Sequence, residues 1–148
     1  MAAMKVKDCM TKSVICVGQD EPASVAARLM ARYNVGILPV RGKEGAITGV
    51  LTDRDIVLRC VAAERDGKNV PVKDIMSTRV RAVQPDTELA RAAGLMAAEQ
   101  VRRLPVLDGG KLVGMLTLGD VTRNDQYSME AAECFERICA GTSHWNEG

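Results

Sequence analysis

The chain has 148 residues, with 20 Lys and Arg against 19 Asp and Glu and a formal net charge of +1. That length suits one ordinary domain or two very small ones, and the interspersed charges lack the one-sided basic excess of a nucleic-acid binder. No apolar run approaches the roughly 18 residues of a membrane span, and the opening MAAMKVKDCM has no secretory apolar core, so neither nucleic acid nor membrane is an expected partner and the expected location is cytoplasmic.

In chain order, VICV (14–17) reads as a short strand. Asp20 is placed to cap a helix, with Pro22 acceptable in its first turn. Val25, Leu29, Met30 and Tyr33 make its apolar stripe, and Asn34 with Gly36 its stop. ILPV (37–40) and AITGVL (46–51) read as two strands around the turn RGKEG. A second helix starts at Thr52 and runs through DIVLRCVAA. The polar stretch ERDGKNVP (64–71) reads as a linker. The order then returns: VRAV (80–83) as a strand, Asp86 as a cap, a helix, and the hairpin LPVLDGGKLVGML (104–116) with Asp-Gly-Gly at its turn. Pro39 and Pro105 lack a backbone N–H and belong at a strand edge or start.

Beyond the second copy, Ser128 can cap a helix whose apolar residues Ala131, Cys134, Phe135, Ile138 and Cys139 recur at helical spacing, with Gly141 as its end. This predicts an amphipathic helix over 127–141, and a loose tail after it. The five cysteines form no C-x-x-C pair and are odd in number, so no disulfide framework is expected. Cys134, Cys139 and His144 match no metal-ligand spacing, and no metal is expected.

The recurrence is an internal repeat. Shifting residues 5–41 by 66 positions makes sixteen of 37 identical: VKDCMT falls on VKDIMS, AARLMARYNV on AAGLMAAEQV, and LPV on LPV. With a shift of 65, GVLTDRD (49–55) falls on GMLTLGD (114–120). Copies of about 60 residues are each too small to bury a core well alone. The expected fold is α/β (α+β in some schemes), two β-α-β-β-α motifs packed about a pseudo-twofold axis with the C-terminal helix added. The expected organisation is motif 1 over 4–63, a linker over 64–71 and motif 2 over 72–124. Lys7, Asp8, Lys73 and Asp74 recur and are expected to stabilise the lead-in of each copy.

Thr-x-x-Asp ahead of an apolar helix has two readings. It is a capping box, in which Thr52 and Asp55 satisfy each other's backbone N–H groups. It is also a pair suited to a ligand, because a carboxylate can accept from both hydroxyls of a ribose and a threonine hydroxyl can donate to ribose or phosphate. The two do not exclude each other.

VKDCMT and VKDIMS, the two LPV tripeptides and the two G-h-h-T-x-x-D signatures together resemble a tandem pair of CBS domains, a Bateman module. The likeness covers about residues 4–124, and is narrowest to small stand-alone bacterial CBS-pair proteins. The resemblance implies binding of an adenosine-containing nucleotide such as AMP, ADP or ATP in clefts between the motifs. It assigns Asp55 and Asp120 to ribose, and Thr52 and Thr117 to ribose or phosphate. It assigns the base pocket to Val14, Ile37 and Pro39 in one copy and to Val80, Leu104 and Pro105 in the other. Arg54 stands inside the first signature as a phosphate cation. The second has Leu118 and Gly119 there, and offers Arg102 and Arg103 where the first copy has Gly36 and Ile37. The two sites are therefore expected to differ.

No nucleophile is paired with a base and the single His lies in the tail, so no enzyme is expected. The expected function is a regulatory module that senses an adenine nucleotide, needs no cofactor, forms a homodimer and signals to an effector protein in trans. The competing readings are a dimerisation scaffold without a physiological nucleotide, a redox sensor through Cys134 or Cys139, and an enzyme.

Overall fold

The computed structural model describes residues 3–123. The proposed helix over 127–141, with Cys134, Cys139 and His144, lies outside these residues. The elements in order are α1 (Val6–Cys9), β1 (Val17–Gly18), α2 (Ala23–Tyr33), β2 (Ile37–Arg41), β3 (Ile47–Thr52), α3 (Asp53–Ile56) running into a π-helical turn (Val57–Val61), a 3₁₀ turn (Val72–Asp74), α4 (Leu89–Glu99), β4 (Arg103–Asp108), β5 (Lys111–Thr117) and α5 (Leu118–Thr122). This is a mixed α and β fold in which each copy repeats helix, two antiparallel strands, helix.

The compact units cut across the repeat copies. One is Ile15–Val80; the other joins the described residues up to Val14 to the described residues from Arg81. Each copy's lead-in thus completes the unit built from the other copy.

In the Ile15–Val80 unit, β2 lies between β1, which is parallel to it, and β3, which is antiparallel with Ile37 opposite Thr52 and Pro39 opposite Val50. Val50 turns its N–H and C=O to Ser77 of the incoming lead-in, at 2.9 Å each way. The Pro39–Val50 pair is therefore one that exchanges no hydrogen bonds, and pairing with β1 begins only at Val40, so the missing proline N–H leaves no orphan. The core gathers Val17, Ala23, Ala26, Met30, Leu38, Val40, Leu51, Cys60, Val70, Val72 and Ile75.

The other unit repeats the plan with the hairpin β4–β5, whose turn residues Gly109 (φ 59°) and Gly110 (φ 81°) both need the left-handed region. Val83 bridges to Val106 in parallel, and Thr11 to Met115. Its core holds Val6, Val83, Leu89, Ala92, Ala93, Met96, Ala97, Leu104, Val106, Leu116 and Val121.

The lead-ins explain the glycine of each signature. A Cβ on Gly49 would stand 2.6 Å from the Ser77 carbonyl oxygen and 2.8 Å from Met76 Sδ. One on Gly114 would stand 2.6 Å from Met10 Sδ and 3.0 Å from the Thr11 carbonyl oxygen. Only a residue without a side chain lets the lead-in lie this close to the strand.

Three expectations are corrected. Asp20 and Asp86 do not cap helices. The caps are Pro22 and Glu88, neither with a side-chain bond, and carbonyls from distant chain take the first-turn N–H groups: Val70 from Ala23 at 2.8 Å, Gly67 from Ser24 at 3.0 Å, and Met4 from Leu89 at 2.9 Å. The two aspartates instead hold the lead-in lysines, Lys73 with Asp20 and Lys7 with Asp86, each at 3.0 Å. The α2 stripe is also shifted. Ala23, Ala26 and Met30 are buried, Val25 and Leu29 half-buried, and Tyr33 exposed, because small residues let the helix approach the sheet. Lastly, the strands expected at 14–17 and 80–83 shrink to Val17–Gly18 and the single bridge at Val83. Val14 and Val80 fall where the chain passes from one compact unit to the other.

The stretch 64–71 is part of the Ile15–Val80 unit. It buries Val70, supplies two carbonyls to α2, and turns at Glu64 with φ 58°. Asn34 closes α2 in the left-handed region (φ 54°), as its sequence position suggests, and Gln100 does the same for α4 (φ 55°).

Candidate functional site

Both Thr-x-x-Asp signatures form complete capping boxes. Thr52 N–H donates to Asp55 Oδ2 at 3.0 Å and Asp55 N–H to Thr52 Oγ1 at 3.0 Å. Thr117 N–H donates to Asp120 Oδ2 at 2.8 Å and Asp120 N–H to Thr117 Oγ1 at 3.1 Å. The boxes fix each carboxylate at a strand-to-helix junction and commit one of its oxygens. What differs is the second oxygen.

In the Ile15–Val80 unit, Asp55 Oδ1 has Arg59 Nε 4.0 Å away, while Arg59 Nη1 is committed to the carbonyls of Ile75 and Met76 at 3.1 and 3.2 Å. The Asp55 side chain is 16% exposed. Beside it, Asp53 takes the Arg54 N–H at 2.8 Å and lies against Gly36, with Asp53 Oδ2 only 3.1 Å from where a Cβ of Gly36 would be. Two acids and two arginines face this junction.

In the other unit, Thr117 and Asp120 line a cleft of about 440 Å³ with Thr11, Arg102, Arg103, Leu118, Gly119 and Arg123. Arg103 is fixed by its place in β4, opposite Thr117. The Arg102 carbonyl accepts from Leu118 N–H at 2.8 Å, which brings the end of α4's loop onto α5. Arg123, one turn beyond Asp120, donates to Asp120 Oδ1. Three arginines thus line the cleft that holds this one carboxylate, whose side chain is 1% exposed. Burial first, then Asp8 and Asp120, push the nearby Cys9 thiol up, with Arg123 opposing; this does not favour a reactive thiolate there.

The structure therefore gathers Thr117, Asp120, Arg102 and Arg103 in one cleft. Thr52, Arg54 and Asp55 sit together at the other junction, with Ile37 opposite Thr52. Leu104 and Pro105 are buried in β4, Leu104 in the core. Pro39 is buried in β2, and Ile37 is half-buried. Val14 belongs to a different compact unit from Ile37 and Pro39, and Val80 to a different one from Leu104 and Pro105.

Two cleft residues escape a reading of the sequence. Thr11 and its counterpart Ser77 recur as hydroxyls closing the lead-in, and that recurrence is the signal that marks them. Arg123 has Leu58 as its counterpart, so the repeat gives no pointer; its i+3 spacing from Asp120 does. Among the described residues no cluster of three His, Cys, Asp or Glu could hold a metal, and no helix is long and apolar enough to cross a membrane.

Comparison with known proteins bears on the family and the fold. The family model for the CBS domain matches twice, at residues 6–61 and 72–126. The CBS domain-containing protein YhcV of Bacillus subtilis is 42% identical over 141 residues, spanning 95% of this chain and 96% of its own. The crystal structure of Hypoxic Response Protein I with two coordinated zinc ions is 32% identical, with a TM-score of 0.74 over 82% of this chain and 98% of that one. The CBS domain pair of protein MJ0100, solved in complex with 5-methylthioadenosine and S-adenosyl-L-methionine, shares the fold at 24% identity, with a TM-score of 0.70 over 82% of this chain and 95% of that one. Two family matches placed on the two repeat copies, each containing a formed Thr-x-x-Asp box, make this chain a member of the CBS domain family, a tandem CBS pair.

Proposed function

We infer that the protein is a non-catalytic regulatory module that senses an adenosine-containing nucleotide and passes the signal to a separate effector protein. The observation that carries this reading is the cleft of Thr117, Asp120, Arg102, Arg103 and Arg123. A buried carboxylate suited to ribose hydroxyls stands beside cations suited to phosphate. The MJ0100 pair, of the same fold, holds adenosine compounds; its likeness extends to the fold alone, so the ligand class rests on this chain's residues. Thr52, Arg54 and Asp55 form the candidate second site. The ligand acts by favouring whichever arrangement binds it better.

The test is a thermal-shift series with AMP, ADP, ATP and S-adenosylmethionine on protein first freed of nucleotide. At 100 times its dissociation constant a ligand adds about 2.7 kcal/mol to the folded state, a shift of several degrees. A shift with an adenine nucleotide that Asp120→Asn loses is the expected result. No shift with any of them would reject the reading.

A second reading, a dimerisation scaffold, is favoured by one observation. Val57, Leu58 and Val61 are 54%, 49% and 65% exposed along one helical segment, an apolar face suited to a second copy. Self-association is compatible with sensing, and homodimer formation is part of our reading. A CBS-CP12 protein related to this chain at 26% identity is hexameric. A sedimentation measurement showing a monomer, or loss of the dimer in Leu58→Glu, separates the two roles.

A further inference from the structure

The cleft in the Arg81-containing unit carries its own specificity device, and the inference rests on the reading that this cleft takes adenosine compounds. Asp120 has both oxygens engaged: Oδ2 by the Thr117 N–H at 2.8 Å and Oδ1 by Arg123. The side chain is 1% exposed, so a ribose reaches the carboxylate only if one of the groups covering it moves aside. The Thr117 N–H cannot, because it belongs to the backbone of the capping box. Asp120 cannot move either, since its side chain is 1% exposed and fixed by that box, whereas the Arg123 side chain is 71% exposed. Arg123 is therefore the mobile partner. Its guanidinium lies over Gly119, where a Cβ would stand 3.9 Å from Nη1, so the position that carries Arg54 in the first copy is here left bare and is covered by Arg123 instead.

We propose that Arg123 is a specificity-determining residue that closes the Asp120 carboxylate in the empty cleft and releases it to phosphorylated adenosine. A neutral adenosine must displace the guanidinium and offers it nothing in return. A nucleotide phosphate accepts it in a charge-assisted pair beside Arg102 and Arg103. A sulfonium ligand such as S-adenosylmethionine adds a cation to three arginines and is disfavoured. The cleft thus selects for the phosphate chain through a residue replaced by Leu58 in the other copy, where Arg59, one position on, stands 4.0 Å from Asp55 Oδ1 and is held by the Ile75 and Met76 carbonyls.

The test is calorimetry with ATP and with adenosine, in an Asp55→Ala background that silences the first signature, comparing Arg123 with Arg123→Ala and Arg123→Gln. Arg123→Ala is expected to weaken ATP about tenfold or more, the loss of one charge-assisted contact, and to tighten adenosine, with Arg123→Gln intermediate. The opposite signs are the signature, since a merely structural loss weakens both. Changes in the same direction, or none, overturn the proposal while leaving nucleotide sensing intact. If the parent binds neither compound, the adenosine reading falls first and this proposal with it.

Discussion

The two Thr-x-x-Asp junctions share a backbone and differ in charge. At the first, Asp53 and Asp55 are set against Arg54 and Arg59, and Arg59 is spent on the Ile75 and Met76 carbonyls. At the second, Asp120 is the one acid lining a cleft with Arg102, Arg103 and Arg123. Within the signatures the two copies keep in common what the fold needs, namely the glycine, the core leucine, the threonine and the aspartate, while the pair between threonine and aspartate differs. The shared residues are those with backbone or core duties; the divergent ones set what each junction attracts.

The largest difference between the copies is expected at the signature glycines. In Gly49→Ala the new methyl meets the Ser77 carbonyl oxygen, which cannot give way, and should cost about 3 kcal/mol. In Gly114→Ala the nearest atom is Met10 Sδ, the flexible part of a side chain, and the cost should be about 1 kcal/mol. Urea denaturation of the two variants checks this, and equal costs would mean that the lead-ins dock with equal tolerance.

Next come the capping aspartates. Asp120→Ala removes a buried acceptor and strands Arg123, and is expected to cost about 2 kcal/mol, against about 1 kcal/mol for the more exposed Asp55→Ala. Ligand-free melting curves measure both. A reversed order would show that the Asp120–Arg123 pair adds nothing to the cap.

Affinity rather than stability registers the effect of Arg103→Ala. It should weaken ATP at the second junction by about tenfold and leave a nucleotide bound at the first unaffected, as titration in Asp120→Asn and Asp55→Ala backgrounds would resolve. A loss in both backgrounds would remove the distinction between the sites.

The smallest effect is a pH one. Lys7 holds the Asp86 carboxyl below its ordinary value, and Asp86 in turn raises Lys7, by hydrogen bond and then charge. A depressed acid contributes stability that is present above its unfolded pKa and is lost as pH falls through the folded one, so the contribution should fade at about pH 4 and below. Asp20 likewise raises Lys73, by hydrogen bond and then charge, a contribution present below the ordinary lysine pKa and lost as pH rises through the raised one. The pairs are exposed and salt weakens them. In low salt, Asp86→Asn should flatten the acid limb of the melting curve slightly, and an unchanged limb would mean the pair does not act in solution.

What residues alone determined was local. The Thr-x-x-Asp boxes, the Asp-Gly-Gly hairpin, the Asn34 stop and the ordering of elements follow from hydrogen bonds within three or four residues or from φ > 0, so a short window contains their cause. The repeat added the family and the candidates Thr117, Asp120, Arg102 and Arg103. What only tertiary structure decided involves partners far apart in the chain. Asp20 and Asp86 look like caps until Val70, Gly67 and Met4 are seen supplying that bond from a distance. Lys7 and Lys73 acquire a role only once each lead-in completes the unit of the other copy. Gly49 and Gly114 look like ordinary strand residues until that lead-in lies against them. Arg123 breaks the repeat, and it becomes part of the site only because a five-residue helix turns it back onto a carboxylate that burial holds in place.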